Sequence, residues 1–429
     1  MMRKIAVIFL SILFGTSFLP AFSKTPEKLP RAYEGSMMPY DFSATDSVAA
    51  YPDSLQPVGI LYVARHGARY LTGPKKISNL QKLLYEAGMR RHLTREGERF
   101  MALLGEVEKA TDGQWGELSP VGIAEERTLG ADMQRRYGKL FRNARVEGSS
   151  TFVPRAMMTM YEFMHALEMP EHSMRIYTNS GKQNDSLLYC FDTFTDYRDY
   201  REETGAWAPY YEDFVEKNVP VEPARRILGM EGENNKPRLR ALTMEIYGVL
   251  QSLRAMGLPD RAAEFMTEEE YRACWEASNL RHWLRNTVTP WSSVCATATR
   301  PLIERLVADG NKILSVPDEQ DAVGAEAPLR FCGYYGHAET LLPLLSAMRI
   351  PGCYADTEDT EELASLWKLQ EITPLGANFE VILLRGESGA SYAALRLNGR
   401  NIAPREGDDA MFASWSELSA DWLADPEQN

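Results

Sequence analysis

The 429-residue chain is short of the residues that hold metals and cross-link loops. Its five cysteines, Cys190, Cys274, Cys295, Cys332 and Cys353, lie far apart and show no metal-ligand spacing. No His/Cys/Asp cluster reads as a metal site either, so neither a metal nor any other cofactor is expected. An odd cysteine count leaves at least one free thiol if all pairing is internal, and the pairing itself is not readable from spacing. Net positive charge is missing as well: the formal charge is -13 at pH 7. A chain of that sign is not expected to bind nucleic acid or an anionic membrane through its overall field. An anionic ligand would have to be drawn in by a local cationic pocket. Beyond residue 23 no segment is apolar enough to cross a bilayer, which takes about 20 such residues. Internal repeats and low-complexity tracts are absent too.

The one long apolar run opens the chain. Residues 1–23 carry Arg3 and Lys4, an apolar stretch over 5–13, and Ala21-Phe22-Ser23 as a small-residue cleavage site. This is the pattern of a secretory signal peptide, and Gly15, Thr16, Ser17 and Pro20 break the run too early for an anchor. The expected mature protein starts near Lys24 and is exported, to the periplasm or beyond the cell. Residues 24–56, rich in Pro, Ser and Asp, read as an irregular lead-in. The remaining roughly 400 residues exceed the usual size of one core, which points to two domains or to one core with a large insertion.

Chemistry gathers in two places. Residues 58–64 are nearly all apolar, with three β-branched side chains and an aromatic, as suits a strand buried on both faces of a parallel sheet. The strand empties into Arg65-His66-Gly67-Ala68-Arg69. Open α/β sheets bind ligands at the carboxyl ends of their strands, and a phosphate suits this loop. A neutral imidazole can attack phosphorus, guanidinium forks grip phosphoryl oxygens, and glycine lets the backbone approach closely. Taken alone, Arg-His-Gly is a weak signal, equally readable as a solvated polar loop. The second place is Gly336-His337-Ala338-Glu339-Thr340, after an apolar run at 329–335 and before Leu341, Leu344, Leu345 and Met348 at helical spacing. A carboxyl two residues beyond a histidine can protonate a leaving alkoxide; the bland reading of His337 is a buried, hydrogen-bonded histidine. Pro343 argues against a helix beginning at His337 and places its first turn near Thr340.

With both motifs in view, RHGARY followed by a distant HAE resembles the histidine phosphatase superfamily, in the branch of acid phosphatases and phytases. The longer stretches RHGARYLTGPKKISNLQKLL and YYGHAETLLPLLSAM resemble multiple inositol-polyphosphate phosphatases, as does HAE where most phytases of the branch have His-Asp. The resemblance runs from about residue 57 to about residue 404. One departure is Leu71, where the motif usually has proline, with a looser loop as the expected consequence. The resemblance implies His66 as the nucleophile that becomes phosphohistidine, Arg65 and Arg69 as phosphate ligands, His337 as a further pocket group and Glu339 as proton donor. It also implies a third arginine on a strand-to-helix turn before a small hydroxyl residue, which Arg155 fits, with Thr159 one turn later. Lys75 and Lys76 are candidates for drawing in an anionic substrate, or equally a solvated helix start.

The remaining pattern suggests an α/β fold, a central mostly parallel sheet flanked by helices with an inserted mainly α-helical domain. Helices are expected from Ile77, Leu80, Leu83 and Leu84, from 96–110, and from Ser119-Pro120 through Tyr137. Residues 145–153 read as a strand, Met157, Met160, Tyr161, Met164 and Leu167 as a core stripe, and 174–178 as a return to the sheet. Between about 184 and 311 the strand pattern fades, with helices over 237–253 and 268–287. Asn398-Gly399 marks a type I′ hairpin between strands at 392–397 and 401–403, and a closing helix follows residue 406. Residues 57–183 with 312–429 thus form the catalytic α/β domain, and 184–311 the insert, expected to wall the cleft. His92, His165, His172 and His282 join no constellation. Together these features suggest an exported phosphomonoesterase for small anionic substrates of the inositol-polyphosphate type. A broad sugar-phosphate phosphatase is the nearer alternative, and a non-catalytic phospholigand-binding protein the more distant one. Oligomeric state and the order of phosphate removal are not encoded in any motif.

Overall fold

The computed structural model describes residues 28–46, 51–168, 174–316 and 327–424; the signal-like segment 1–23 and His172 lie outside them. The described strands form one mixed sheet: β1 (Leu55–Arg65), β2 (Arg145–Ser150), β3 (Arg175–Ser180), β4 (Leu329–Gly336), β5 (Asn378–Gly386), β6 (Ser391–Leu397), β7 (Arg400–Ile402) and β8 (Phe412–Ser414). Their order is β3-β2-β4-β1-β5-β6-β7, with β8 on β6. The first four in that order run parallel, whereas β5 to β8 add an antiparallel half. The α/β fold with parallel core strands is therefore as expected, but β1 has an antiparallel neighbour on one side. Asn398 and Gly399 both take positive φ, 50° and 75°, as a type I′ turn between β6 and β7 requires.

Helices α1 (Lys75–Met89), α2 (Arg95–Thr111) and α3 (Pro120–Tyr137) follow β1, and α4 (Pro154–Leu167) links β2 to β3. Their starts are written locally: Thr94 and Ser119 accept from the N–H of Gly97 and Gly122, and Pro120 opens α3 where no N–H is needed. The helices between β3 and β4 are α5 (Asp185–Leu188), α6 (Cys190–Thr193), α7 (Thr195–Tyr200), α8 (Ala208–Asn218), α9 (Glu222–Leu228), α10 (Lys236–Leu250), α11 (Glu268–Asn286) and α12 (Val294–Leu314). After β4 come α13 (Ala338–Ala347), α14 (Leu363–Leu366), α15 (Leu369–Ile372) and, after β8, α16 (Trp415–Leu423).

Alternation along β1 divides the core. Ile60, Tyr62 and Ala64 face Leu129 and Met133 of α3 and Phe163 of α4. Leu61 and Val63 belong to the cluster on the other face, which continues into Leu239, Tyr247 and Trp283 of the helical stretch. Those helices thus share the sheet's own core. At about 1.5–3 kcal/mol per fully buried large apolar side chain, that contact holds them firmly against the sheet.

Three local expectations are corrected. Strand β2 stops at Ser150, opposite Ser180, where its outer partner β3 also ends. Tyr161 is 44% exposed and lies outside the core stripe. Helix α13 starts at Ala338 despite Pro343. There Thr340 Oγ1 accepts from the His337 N–H at 3.0 Å and donates to the Leu188 carbonyl at 2.7 Å, which anchors the first turn two residues earlier than the proline alone suggests. The five cysteines are all buried and unpaired.

Candidate active site

Parallel register assembles the site. Arg65 at the end of β1 pairs with Gly336 at the end of β4, so the next residues, His66 and His337, leave the sheet side by side. Their rings meet edge to face with centroids 5.5 Å apart. Strand β2 ends one register step away, Ser150 opposite Tyr335, and delivers Thr151 and, in the first turn of α4, Arg155. The backbone of His66 is pinned from both neighbours: its N–H donates to the Gly336 carbonyl and its carbonyl accepts from Gly376, each at 3.0 Å. Gly67 is needed for close approach, since a Cβ there would lie 2.9 Å from a Glu126 oxygen and 3.1 Å from the Gly122 carbonyl. Thr159 Oγ1 accepts from the Gly67 N–H at 3.0 Å, which explains the hydroxyl residue one turn after Arg155.

Hydrogen bonds decide the tautomers. His66 Nδ1 lies 2.9 Å from the Gly67 carbonyl, which can only accept. Nδ1 therefore carries the proton and Nε2 keeps the lone pair. His337 Nδ1 lies 3.5 Å from Arg155 Nη2, which can only donate, so its proton sits on Nε2, 3.2 Å from Thr151 Oγ1. Both rings are held neutral. Burial first, then the guanidinium groups of Arg155, Arg65 and Arg69, push His66 well below its ordinary value. Burial and Arg155 take His337 down to about 3.

The three arginines are clamped by part of each fork only. Arg65 Nη1 donates to the carbonyls of Ser36 and Thr373 at 2.7 and 2.6 Å. Arg69 Nη1 donates to the Tyr70 carbonyl at 2.8 Å. The Nε–H groups of Arg65, Arg69 and Arg155 are all buried with no protein acceptor. Burial lowers Arg65 to about 10 and Arg69 to about 9, each further lowered by Arg155, so both stay charged at neutral pH. Converging cations with spare donors make a site for a tetrahedral oxyanion. Among the described residues, no group of three His, Cys, Asp or Glu side chains could hold a metal ion.

Glu339 is on the same rim, with 31% of its side chain exposed and Arg201 Nη2 3.4 Å from Oε1. Burial raises its proton affinity, but Arg201, helped by a backbone hydrogen bond, outweighs burial and brings the carboxyl down to about 2. Arg201 comes from the helical stretch and is itself held by Asn286 at 3.0 Å and by the rings of Phe191 and Tyr197. The sequence held no signal for it. Nor did it for the lead-in, whose Ser36 carbonyl fixes Arg65, or for Tyr189 and Phe191, whose rings pack edge-on against His337. Leu71 does not loosen the loop: it is buried, and its carbonyl accepts from Gly116 at 2.7 Å.

Beside these groups a cleft of about 910 Å³ is lined by residues of α8, α10 and α11 together with Lys76 of α1. The charge of Arg69 reaches Lys76, whose proton affinity is lowered by burial first, and His282 lies on the cleft wall, its Nδ1 held by the Ser278 carbonyl at 2.9 Å. Lys75, exposed like Lys76 at the start of α1, does not line the cleft.

Compared with known families, the chain matches the histidine phosphatase superfamily (branch 2) over residues 59–398. No curated protein gives a match. Among solved structures it is similar to a Bifidobacterium longum multiple inositol polyphosphate phosphatase in complex with inositol hexasulfate, with a TM-score of 0.72 at 14% identity over 90% of this chain and 96% of that one. The phytase from D. castellii gives 0.67 at 15% identity over 92% and 85% of the two chains. A Hafnia alvei phytase in complex with myo-inositol hexakis sulphate gives 0.53 at 12% over 87% and 97%. At these identities the likeness is one of fold.

Proposed function

Because the chain belongs to branch 2 of the histidine phosphatase superfamily, a family of phosphomonoesterases, we propose that it hydrolyses inositol polyphosphates through a phosphohistidine on His66. The observation that carries this reading is the neutral, buried His66 ring with its Nε2 lone pair free, ringed by His337 and three arginines. Nε2 attacks phosphorus in line while Arg65, Arg69 and Arg155 take up the charge on the equatorial oxygens. The bond from phosphorus to the ester oxygen breaks, and Glu339 gives that oxygen a proton. Water then attacks the phosphohistidine, the phosphorus–nitrogen bond breaks, and the Glu339 carboxylate recovers a proton from the water. In the free protein Glu339 is ionised. An arriving phosphate competes for Arg201 and repels the carboxylate, and both effects raise its proton affinity toward the donor role.

Inositol polyphosphates as substrates are supported by the HAE form of the second motif, by the fold neighbours and by Lys76, Arg240 and Arg281 along the cleft. A second reading, smaller monoesters with fewer charges, is favoured by the same cleft. Its wall also carries Glu203, Glu212, Glu216 and Glu245. Arg281 is paired with Glu203, and Arg240 donates to the carbonyls of Val219 and Glu216. Export through the 1–23 leader belongs to the proposal, and N-terminal sequencing of the mature protein checks it. For the chemistry, the test is rapid acid quench during turnover of inositol hexakisphosphate, with chromatography of the products. Acid-labile phosphate on His66 and successive loss of ring phosphates are expected. Label elsewhere overturns the mechanism; comparable rates on glucose phosphates transfer the substrate assignment to the second reading.

A further inference from the structure

The catalytic turn rests on two consecutive acids of α3, and they are treated unequally. Glu125 is fully used: its oxygens accept from the N–H of Tyr40 at 2.8 Å and of Ala68 at 2.7 Å. Glu126 has no exposed surface, and neither of its carboxylate oxygens has a hydrogen-bond partner among the protein groups. Yet it lies directly beneath the residue that follows His66. One oxygen would be 2.9 Å from a Cβ on Gly67 and 3.4 Å from one on Gly376, the glycine whose N–H holds the His66 carbonyl.

The surroundings of Glu126 contain no cation to balance a charge. From β1 and β4 it is faced by the phenols of Tyr62 and Tyr335, whose hydroxyls are also buried and unpartnered. From its own helix comes the like charge of Glu125. Tyr40 in the lead-in and Arg65 at the end of β1 both engage Glu125 instead, and Arg65 Nη1 is taken up by two carbonyls. The segment 374–377 brings no ionisable side chain; of those on α4, Arg155 meets His337, Glu162 pairs with Arg127, and Tyr161 and His165 are exposed, so none of them balances Glu126. Two carboxyls side by side in such a place cannot both ionise, and the one without donors is the one that keeps its proton.

We propose that Glu126 is a positioning residue which, as the neutral acid, supports the turn carrying His66, and that loss of its proton sets the alkaline end of catalysis. Once charged, the carboxylate gains stability only by drawing water or a new donor into the contact with Gly67 and Gly376. That separates α3 from the turn and moves His66, Arg65 and Arg69 out of mutual alignment. The contact of Glu126 with Gly67 and Gly376 thus couples protonation to nucleophile geometry without touching the substrate. The inference rests on the phosphatase reading above.

The test uses p-nitrophenyl phosphate, whose leaving group needs no proton from Glu339, so the limb observed is not that of the donor. Glu126→Gln keeps the size and neutrality of the acid but has no proton to lose. The expected result is an alkaline limb of kcat displaced upward by about one pH unit or more, as befits removal of the titrating group. A profile superimposable on that of the wild type overturns the proposal. If the variant does not fold, the wild type serves: hydrogen-exchange protection of the Gly67 and Ala68 amides, corrected for intrinsic rates, is expected to fall across the same pH range as the limb. Protection that persists through the limb overturns the proposal. Absence of any phosphate release by the wild type would fail the phosphatase reading instead, and the exchange measurement still decides whether Glu126 controls the turn.

Discussion

Replacing Arg201 by methionine removes the positive partner of Glu339 while keeping the length of the side chain. Arg201 Nη2 and Glu339 Oε1 are 3.4 Å apart, with the two side chains 13% and 31% exposed. Two unit charges at that distance in a medium of effective dielectric near 20 attract by about 5 kcal/mol, and solvent at the cleft mouth reduces the net effect to roughly 1–3 kcal/mol. At 1.36 kcal/mol per unit this is about one to two pH units of proton affinity. With Glu339 down at about 2, only about one molecule in a thousand carries the proton at pH 5, and loss of Arg201 multiplies that fraction by roughly 10 to 100. The assay is the pH dependence of kcat/KM, which reports the free enzyme, for glycerol phosphate beside p-nitrophenyl phosphate. For Arg201→Met the alkaline limb is expected to move up by about one to two units on glycerol phosphate alone, and Arg201→Lys is expected to restore it. An unchanged limb, or the same displacement on both esters, would refute the argument that Arg201 acts through the charge of Glu339.

Thr159→Val leaves the buried Gly67 N–H without its acceptor, so urea unfolding should show a loss of about 1–3 kcal/mol together with a lower kcat, and Thr159→Ser should recover both; a valine variant as stable and active as the wild type would remove Thr159 from the support of the turn. Stability should also fall as pH rises above about 4.5. Glu125 is raised to about 7 by burial, so between 4.5 and 7 the folded chain retains a proton that the unfolded chain has released, a difference of about 3 kcal/mol that is complete only by the upper end. Glu126 is shifted in the same sense. Glu339 acts oppositely, stabilising the folded state above 4.5 and losing that contribution as pH falls toward 2. Chemical unfolding at a series of pH values is expected to find greatest stability on the acid side of neutrality, and a maximum at pH 8 would contradict it.

Much of this was legible before any coordinates because it is local. An apolar β-branched run means a buried strand, a serine before a proline opens a helix, and Asn398-Gly399 turns a hairpin; each depends on residues within a few positions. His66, His337, Arg65, Arg69, Glu339 and Arg155 were picked out by motif and by resemblance, and the structure brings them to one edge. Arg201, Ser36 and the Glu125–Glu126 pair were not, since each matters only through a contact with a distant segment. Arg201 lies 138 residues from Glu339, and the Ser36 carbonyl 29 residues from Arg65. Lys75 and Lys76 show the limit from the other side: adjacent residues of one type, separated by the helix into a solvated one and one on the cleft wall.

What the chain determines by itself is which groups are available and in what order short elements carry them, because propensity, capping and turn chemistry act over a few residues. Protonation states, the tautomers of both histidines, the charge balance of the cleft and the burden placed on Glu126 were decided only by tertiary structure. Those properties depend on dielectric burial and on partners brought within a few ångströms by strand register, and neither quantity exists until the sheet has closed.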